Sequence, residues 1–212
     1  MGTATLTPTK NHFGAGTIYM SGAGTTVPTL TVVGGKFTQA WTGWFAVGGT
    51  SAGLTVSRTP TFSDFVPAES YYATHVLGTG DSIEGSCVLN EISKVNLAFA
   101  FNMADANTLA GTGGNYTTSG TGANVITGFS APLVGKEVRS MLGWQSENDD
   151  EVVFIYQGVN SVVSPHFDKN PNAQELSIGL KGELPATNPD TNNGYTSTQV
   201  VPWRWYLAGT AW

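Results

Sequence analysis

From Gln174 to Leu184 the chain sets Leu176, Ile178, Leu180 and Leu184 in alternation with Glu175, Ser177, Lys181 and Glu183. A period of two is what a strand with one buried and one wet face requires, and a helix does not satisfy it. The same rhythm runs through Ser82–Leu89, with Ile83, Gly85, Cys87 and Leu89 on one side and Ser82, Glu84 and Ser86 on the other. Further strand candidates fall at Thr17–Met20, Lys36–Ala46, Leu54–Ser57, Glu137–Trp144 and Glu151–Gln157. Against this background one helix stands out, Glu91 to about Phe101, with Asn90 as N-cap and Glu91 where the helix dipole favours negative charge. The expected class is mainly β, a sandwich or barrel with one α-helix.

Composition agrees. Only 11% of residues are charged, against about 25% in ordinary globular chains. Glycine is heavy at 27 residues, and six Trp argue for order over disorder. A chain of 212 residues fits one β-rich domain. At that size roughly 70% of the unfolded surface is buried without staples. The expected organisation is one domain, 1–212, with an extended arm over 1–27 and a flexible Gly/Ser/Thr loop over 111–128. An aromatic C-terminal arm covers 200–212, "VVPWRWYLAGTAW". Such a tail docks sooner than it dangles, because its rings are costly to leave in water.

The helix carries more apolar surface than one face needs. At about 100° per residue, Ile92, Val95 and Phe99 form one stripe while Leu97 and Phe101 lie nearly opposite. One sheet covers one stripe; the second implies another layer or another subunit.

Charge and cysteine usage exclude several classes. The net charge is −6 and no basic run occurs, which excludes the usual grip on nucleic-acid phosphates. A mildly acidic wall that DNA slides past is still allowed. Cys87 is the only cysteine, so an intramolecular disulfide framework is excluded and a cysteine metal site is disfavoured. No basic-then-apolar leader opens the chain, and no apolar run approaches a membrane span. The expectation is a protein made and folded in a cytoplasm, with no membrane partner.

No catalytic constellation emerges. His166-Phe167-Asp168 offers two metal-ligand types, but turn residues surround it and no second cluster supports it. Asp190-Thr-Asn192-Asn193-Gly194 echoes a calcium loop but lacks the closing bidentate Glu, and its residues are ordinary turn formers. Gly14-Ala-Gly16 and Gly22-Ala-Gly24 lack the third glycine of a dinucleotide fingerprint. There is no Gly-x-Ser-x-Gly elbow and no Walker lysine. Asp64 and Glu69 lack a nearby base or apolar pocket to tune them as an acid–base pair. Cys87 reads as a buried small hydrophobe. The expectation is a non-enzyme without cofactors or metal.

Three stretches carry a resemblance. "WFAVGGTSAGLTVSRTPTFSDFVPAES" (Trp44–Ser70), "DSIEGSCVLNEISKVNLAFAF" (Asp81–Phe101) and "GTIYMSGAGTTVPT" (Gly16–Thr29) resemble the tail tube proteins of long non-contractile phage tails. There, a Gly-Gly-Thr turn leads into a Ser/Thr-rich strand, and a later strand runs straight into a single helix. The resemblance implies a tail-tube-type β-sandwich or barrel, assembled in the host cytoplasm into a virion tail. It implies homohexameric rings stacked into a tube, with tape-measure and tail terminator proteins as partners and DNA passing through without specific binding. On this reading Arg58, Phe62, Asp64, Phe65, Glu69, Leu97, Phe101, Trp203 and Trp205 are assembly-interface candidates. Glu84, Glu175, Lys181 and Glu183 are candidates for the lumen wall. Two rivals stand beside it: another virion protein, such as a capsid decoration or tail-tip module, and a carbohydrate-binding β-sandwich stacking sugars on Trp203, Trp205 or Trp212.

Overall fold

Backbone pairing joins eight strands into one antiparallel sheet. The computed structural model describes residues 16–65, 75–103, 116–119, 126–129, 132, 135–166 and 175–209. In chain order the strands are β1 (Gly16–Gly22), β2 (Val32–Val33), β3 (Lys36–Phe37), β4 (Phe45–Ala46), β5 (Thr50–Phe65) and β6 (His75–Leu89). After the helix α1 (Lys94–Ala100) come β7 (Tyr116–Ser119), β8 (Ile126–Phe129), β9 (Ser140–Ser146), β10 (Glu151–His166), β11 (Glu175–Gly182) and β12 (Trp203–Leu207). The main sheet runs β4-β1-β9-β10-β11-β6-β5, and β12 adds to β10. The strand pairs β2–β3 and β7–β8 form two small sheets of their own. The fold is mainly β with a single short helix among the described residues.

Alternation along the central strands creates two cores, one on each face. Ile18, Met20, Cys87, Leu89, Leu142, Ile155, Leu176, Ile178 and Leu180 point to the inner side, where Phe99 and Ala100 of α1 join them. The sheet curls until β5 lies beside β1, which gives this interior a barrel-like enclosure. Met141, Val152, Phe154 and Tyr156 face the outer side, covered by Val27, Phe37 and Trp44 from the segment between β1 and β5. Tyr19 stacks on Trp41 there, with ring centroids 3.9 Å apart. Truncating any one of the fully buried leucines would cost about 2–5 kcal/mol.

The helix begins later than its pattern predicts. Asn90 is not the cap: it stays with the strands, its N–H donating to the Gly49 carbonyl (2.9 Å). Ser93 caps instead, accepting from the Asn96 N–H at 3.1 Å, which leaves Glu91 outside α1. Asn96 is buried and its amide ties α1 to the strands by donating to the Val47 carbonyl at 2.9 Å. At the other end Asn102 adopts a left-handed conformation (φ 54). It donates to the Asn160 carbonyl at 2.9 Å and accepts from the Asn160 N–H at 2.8 Å. That reciprocal pair satisfies backbone groups at the β10 bulge.

Other expectations change. Leu184 lies past the end of β11 and is 65% exposed, so it leaves the core alternation at Gly182. Leu54–Ser57 is one part of the much longer β5, and Lys36–Ala46 resolves into the short β3 and β4. Within 1–27, β1 is an interior strand of the sheet and Val27 is fully buried, so an extended arm does not reach that far. The stretch 111–128 contains paired strand residues of β7 and β8, where β-branched residues favour the pleat. The aromatic C-terminal segment docks on its own subunit as β12, from Glu151↔Leu207 to Ile155↔Trp203.

Candidate interaction surfaces

The sheet's most unusual part is its far edge. Beyond Arg58↔Ile83, β5 and β6 continue as a two-stranded ribbon to Phe65↔His75, with a register shift between Thr61 and Phe62. Every described side chain from Ser57 to Asp64 and from Val76 to Ser82 is exposed, so neither face of the ribbon has a layer upon it. Phe62, Val76 and Leu77 stand 60%, 60% and 61% exposed. Arg58 pairs with Asp81 at 2.8 Å across the ribbon, holding both charges near its base. A two-stranded ribbon is marginal in water by itself, and its apolar tips add to the cost of exposure.

Of the residues that the sequence offers for an interface, Arg58, Phe62 and Asp64 share one strand, β5. Phe65 closes that strand's pairing, its side chain lying outside the described residues, as does the whole of Glu69. The others lie elsewhere. Leu97 is half-buried against the inner core of its own subunit, as is Trp203. Phe101 forms the C-cap of α1 and is half-buried. The second apolar stripe of the helix is thus partly covered by the fold itself. Trp205 is 52% exposed.

The outer face of β6 and β11 is polar. Glu84 is exposed and stands directly across from Lys181 in the register, with Ser86 opposite Gly179 and Val88 opposite Ser177. Glu175 lies at the far end of this face, opposite His166. Glu183 follows β11 and accepts from Arg139 at 3.2 Å. Three carboxylates and one ammonium thus lie along one side of β6–β11, with two of the four cross-strand neighbours.

At the open end of the barrel lies a pocket of ≈ 280 Å³ lined by Leu54, Val56, Trp144, Glu151, Trp203 and Trp205 among others. Glu151 is only 5% exposed. Strand alternation places these residues on the inner face, and the addition of β12 to β10 brings Trp203 and Trp205 to Trp144. Sequence reading found the two C-terminal tryptophans but missed Trp144 and Glu151, because nothing local to them marks a pocket.

It also missed a buried polar cluster on the outer side. Asp190 is fully buried and accepts from the hydroxyls of Tyr156 and Tyr206. Arg204 approaches the same carboxylate at 3.5 Å and lies over the Tyr195 ring, 3.5 Å from its centroid. Burial, then the Asp190 charge, pushes the Tyr156 phenol far above its ordinary value, and burial does the same for Tyr206. The 190–194 stretch forms the expected turn, with Gly194 left-handed at φ 87. The cluster ties that turn to β10 and β12.

Cys87 sits in the inner core, where burial pushes its thiol up to about 12. Among the described residues no group of acidic, His and Cys side chains has metal-site geometry. No helix among them is long and apolar enough to cross a membrane. His166 ends β10, and Phe167, Asp168 and Trp212 lie outside the described residues. No protein-family model matches the chain, and no curated protein matches it.

Proposed function

We propose that this chain is a self-assembling structural subunit whose working form is the phage tail tube: hexameric rings stacked into a conduit that delivers DNA to the host. The observation that carries the reading is the β5–β6 ribbon, which projects past the core with both faces bare and three large apolar side chains exposed. A surface of that kind calls for a neighbour. Sparse charge across the whole chain favours the same conclusion, since a subunit in contact on several sides has less water to face. The polar outer face with Glu84, Glu175 and Glu183 suits a lumen wall that does not hold phosphate. Tape-measure and terminator proteins are the partners such a tube requires.

The test is electron microscopy and sedimentation velocity on the pure chain at rising concentration, beside Phe62→Ser and Leu77→Ser variants. The expected outcome is rings or tubes for the parent and dispersed subunits with an unchanged circular dichroism spectrum for the variants. A parent that stays monomeric at millimolar concentration and with tail partners overturns the reading. Discrete oligomers that never stack would instead favour a capsid decoration or tail-tip role.

A further inference from the structure

We propose that Asn193–Gly194 is a self-modifying site. Deamidation of Asn193 is held off while the folded turn grips its side chain, and once it occurs it unlatches the segment 27–30 that covers the outer core. This goes beyond the assembly reading and does not rest on it. Of all the asparagines in the chain, Asn193 alone is followed by glycine. The reaction is an attack by the next residue's backbone nitrogen on the asparagine side chain, and a Cβ on that residue would stand in its way. Solvent hydroxide takes the Gly194 N–H proton. The nitrogen then bonds to Asn193 Cγ, the Cγ–Nδ2 bond breaks, and ammonia leaves with a proton from water. Water opens the resulting five-membered imide at one of its two carbonyls, giving aspartate or, with the chain routed through the side chain, isoaspartate. One water is consumed and one ammonia released, with nothing oxidised or reduced.

The fold ties this reactivity to its own geometry. Gly194 closes the single 3₁₀ turn Thr191–Asn193 in the left-handed region, φ 87, where a side chain is strained. It is exposed, so hydroxide and water reach it. The side chain it would attack is held. Asn193 Nδ2 donates to the Pro28 carbonyl at 3.0 Å and to Asp190 Oδ1, while its Oδ1 accepts from the Leu30 N–H at 2.7 Å. Ring closure turns Cγ toward the Gly194 nitrogen and expels Nδ2, so it costs these bonds. The same bonds fasten segment 27–30, in which Val27 is fully buried and Leu30 packs against the outer core. Deamidation replaces the two N–H donors with a carboxylate oxygen. That oxygen then faces the Pro28 carbonyl and the fully buried Asp190 carboxylate, both of them acceptors. Like charges at hydrogen-bond distance repel. The isoaspartate form also adds a methylene to the backbone of the turn.

The experiment ages the full chain in mildly alkaline buffer, with and without denaturing guanidinium, and follows every asparagine by peptide mapping and mass spectrometry. In denaturant Asn193 should convert ahead of every other asparagine, and in native buffer its conversion should be at least about tenfold slower. Gly194→Ala, measured in denaturant where the left-handed turn no longer matters, should suppress the conversion. An Asn193 that converts no faster than the other asparagines in denaturant overturns the site. Equal rates in the folded and unfolded chain overturn the latch. The consequence is read on Asn193→Asp, which makes the product directly, by its urea midpoint and by hydrogen exchange at the Val27 and Leu30 amides. A lower midpoint and faster exchange at both are expected, with Asn193→Ser, which loses the amide without gaining charge, falling less. An unchanged midpoint and unchanged exchange overturn the unlatching, and an equal fall in the Ser variant overturns the role of charge. If Asn193→Asp does not fold, a folded Asn193→Ser supports unlatching by the carboxylate and an unfolded one overturns it.

Discussion

Tyr156 on β10 donates its hydroxyl to the fully buried carboxylate of Asp190, a residue the sequence presents as part of a surface turn. Tyr206 donates to the same group from β12, and Arg204 stands beside it. Removing the acceptor leaves both hydroxyls without their partner and the guanidinium with only neutral acceptors, Asn188 Oδ1 and the Gln199 carbonyl. Asp190→Ala should therefore destabilise the fold by about 3–5 kcal/mol. Tyr156→Phe should cost about 1–3 kcal/mol. Urea midpoints of the three proteins at neutral pH check the order.

The same cluster sets an alkaline limit. A free phenol titrates near 10 and a free thiol near 8.5. In the folded chain Tyr156 and Tyr206 hold their protons well above that range, and Cys87 titrates at about 12. Above these ordinary values the unfolded chain loses protons that the folded chain keeps, so stability falls as pH rises. The contribution is complete below about pH 8.5, erodes through the thiol window up to about 12, and erodes further as the phenols of the unfolded chain ionise. Unfolding midpoints measured from pH 7 to 11 should decline, and Tyr156→Phe should flatten the decline. An equally steep curve in that variant would remove Tyr156 as a cause.

Gly158 marks the point where β10 trades β9 for β11, opposite both Ser140 and Gly182. A Cβ there would stand 2.5 Å from the Lys181 carbonyl oxygen and 2.9 Å from Leu180 Cγ. Backbone cannot swing aside as a side chain does, so Gly158→Ala should cost at least about 1–3 kcal/mol. Gly78 on the ribbon is the control, since a Cβ there meets nothing nearer than Phe62 at 4.0 Å. Gly78→Ala should lie within about 0.5 kcal/mol of the parent.

Arg58 and Asp81 tie the base of the ribbon, but both side chains are largely in solvent. An exposed pair contributes at most about 1 kcal/mol, so Arg58→Ala should leave the unfolding midpoint nearly unchanged. If the ribbon meets a neighbour, the same change should weaken self-association and its salt dependence. Sedimentation velocity at two ionic strengths reads that difference. Association identical to the parent would place the contact away from Arg58.

The strand-rich class, the single helix and the core faces of β6 and β11 were legible in the sequence because alternation is a local signal. Ile83, Cys87, Leu176, Ile178 and Leu180 need only their neighbours in the chain to show which face seeks burial. The ribbon was not legible as a strand. From Arg58 to Asp64 nothing is buried, so no alternation exists to read, and only backbone pairing with β6 defines the element. Asn90 made an adequate cap on paper, yet the strand pairing carries on to it through its N–H to Gly49, and the helix starts after Ser93, whose hydroxyl accepts from Asn96. The burial of Asp190 and the meeting of Trp144 with Trp203 depend on residues about 35 to 60 positions apart in the chain. Side-chain type tells what a residue would accept; only the packing of distant strands decides which partner arrives, because burial and pairing are properties of the neighbours that the curled sheet brings together.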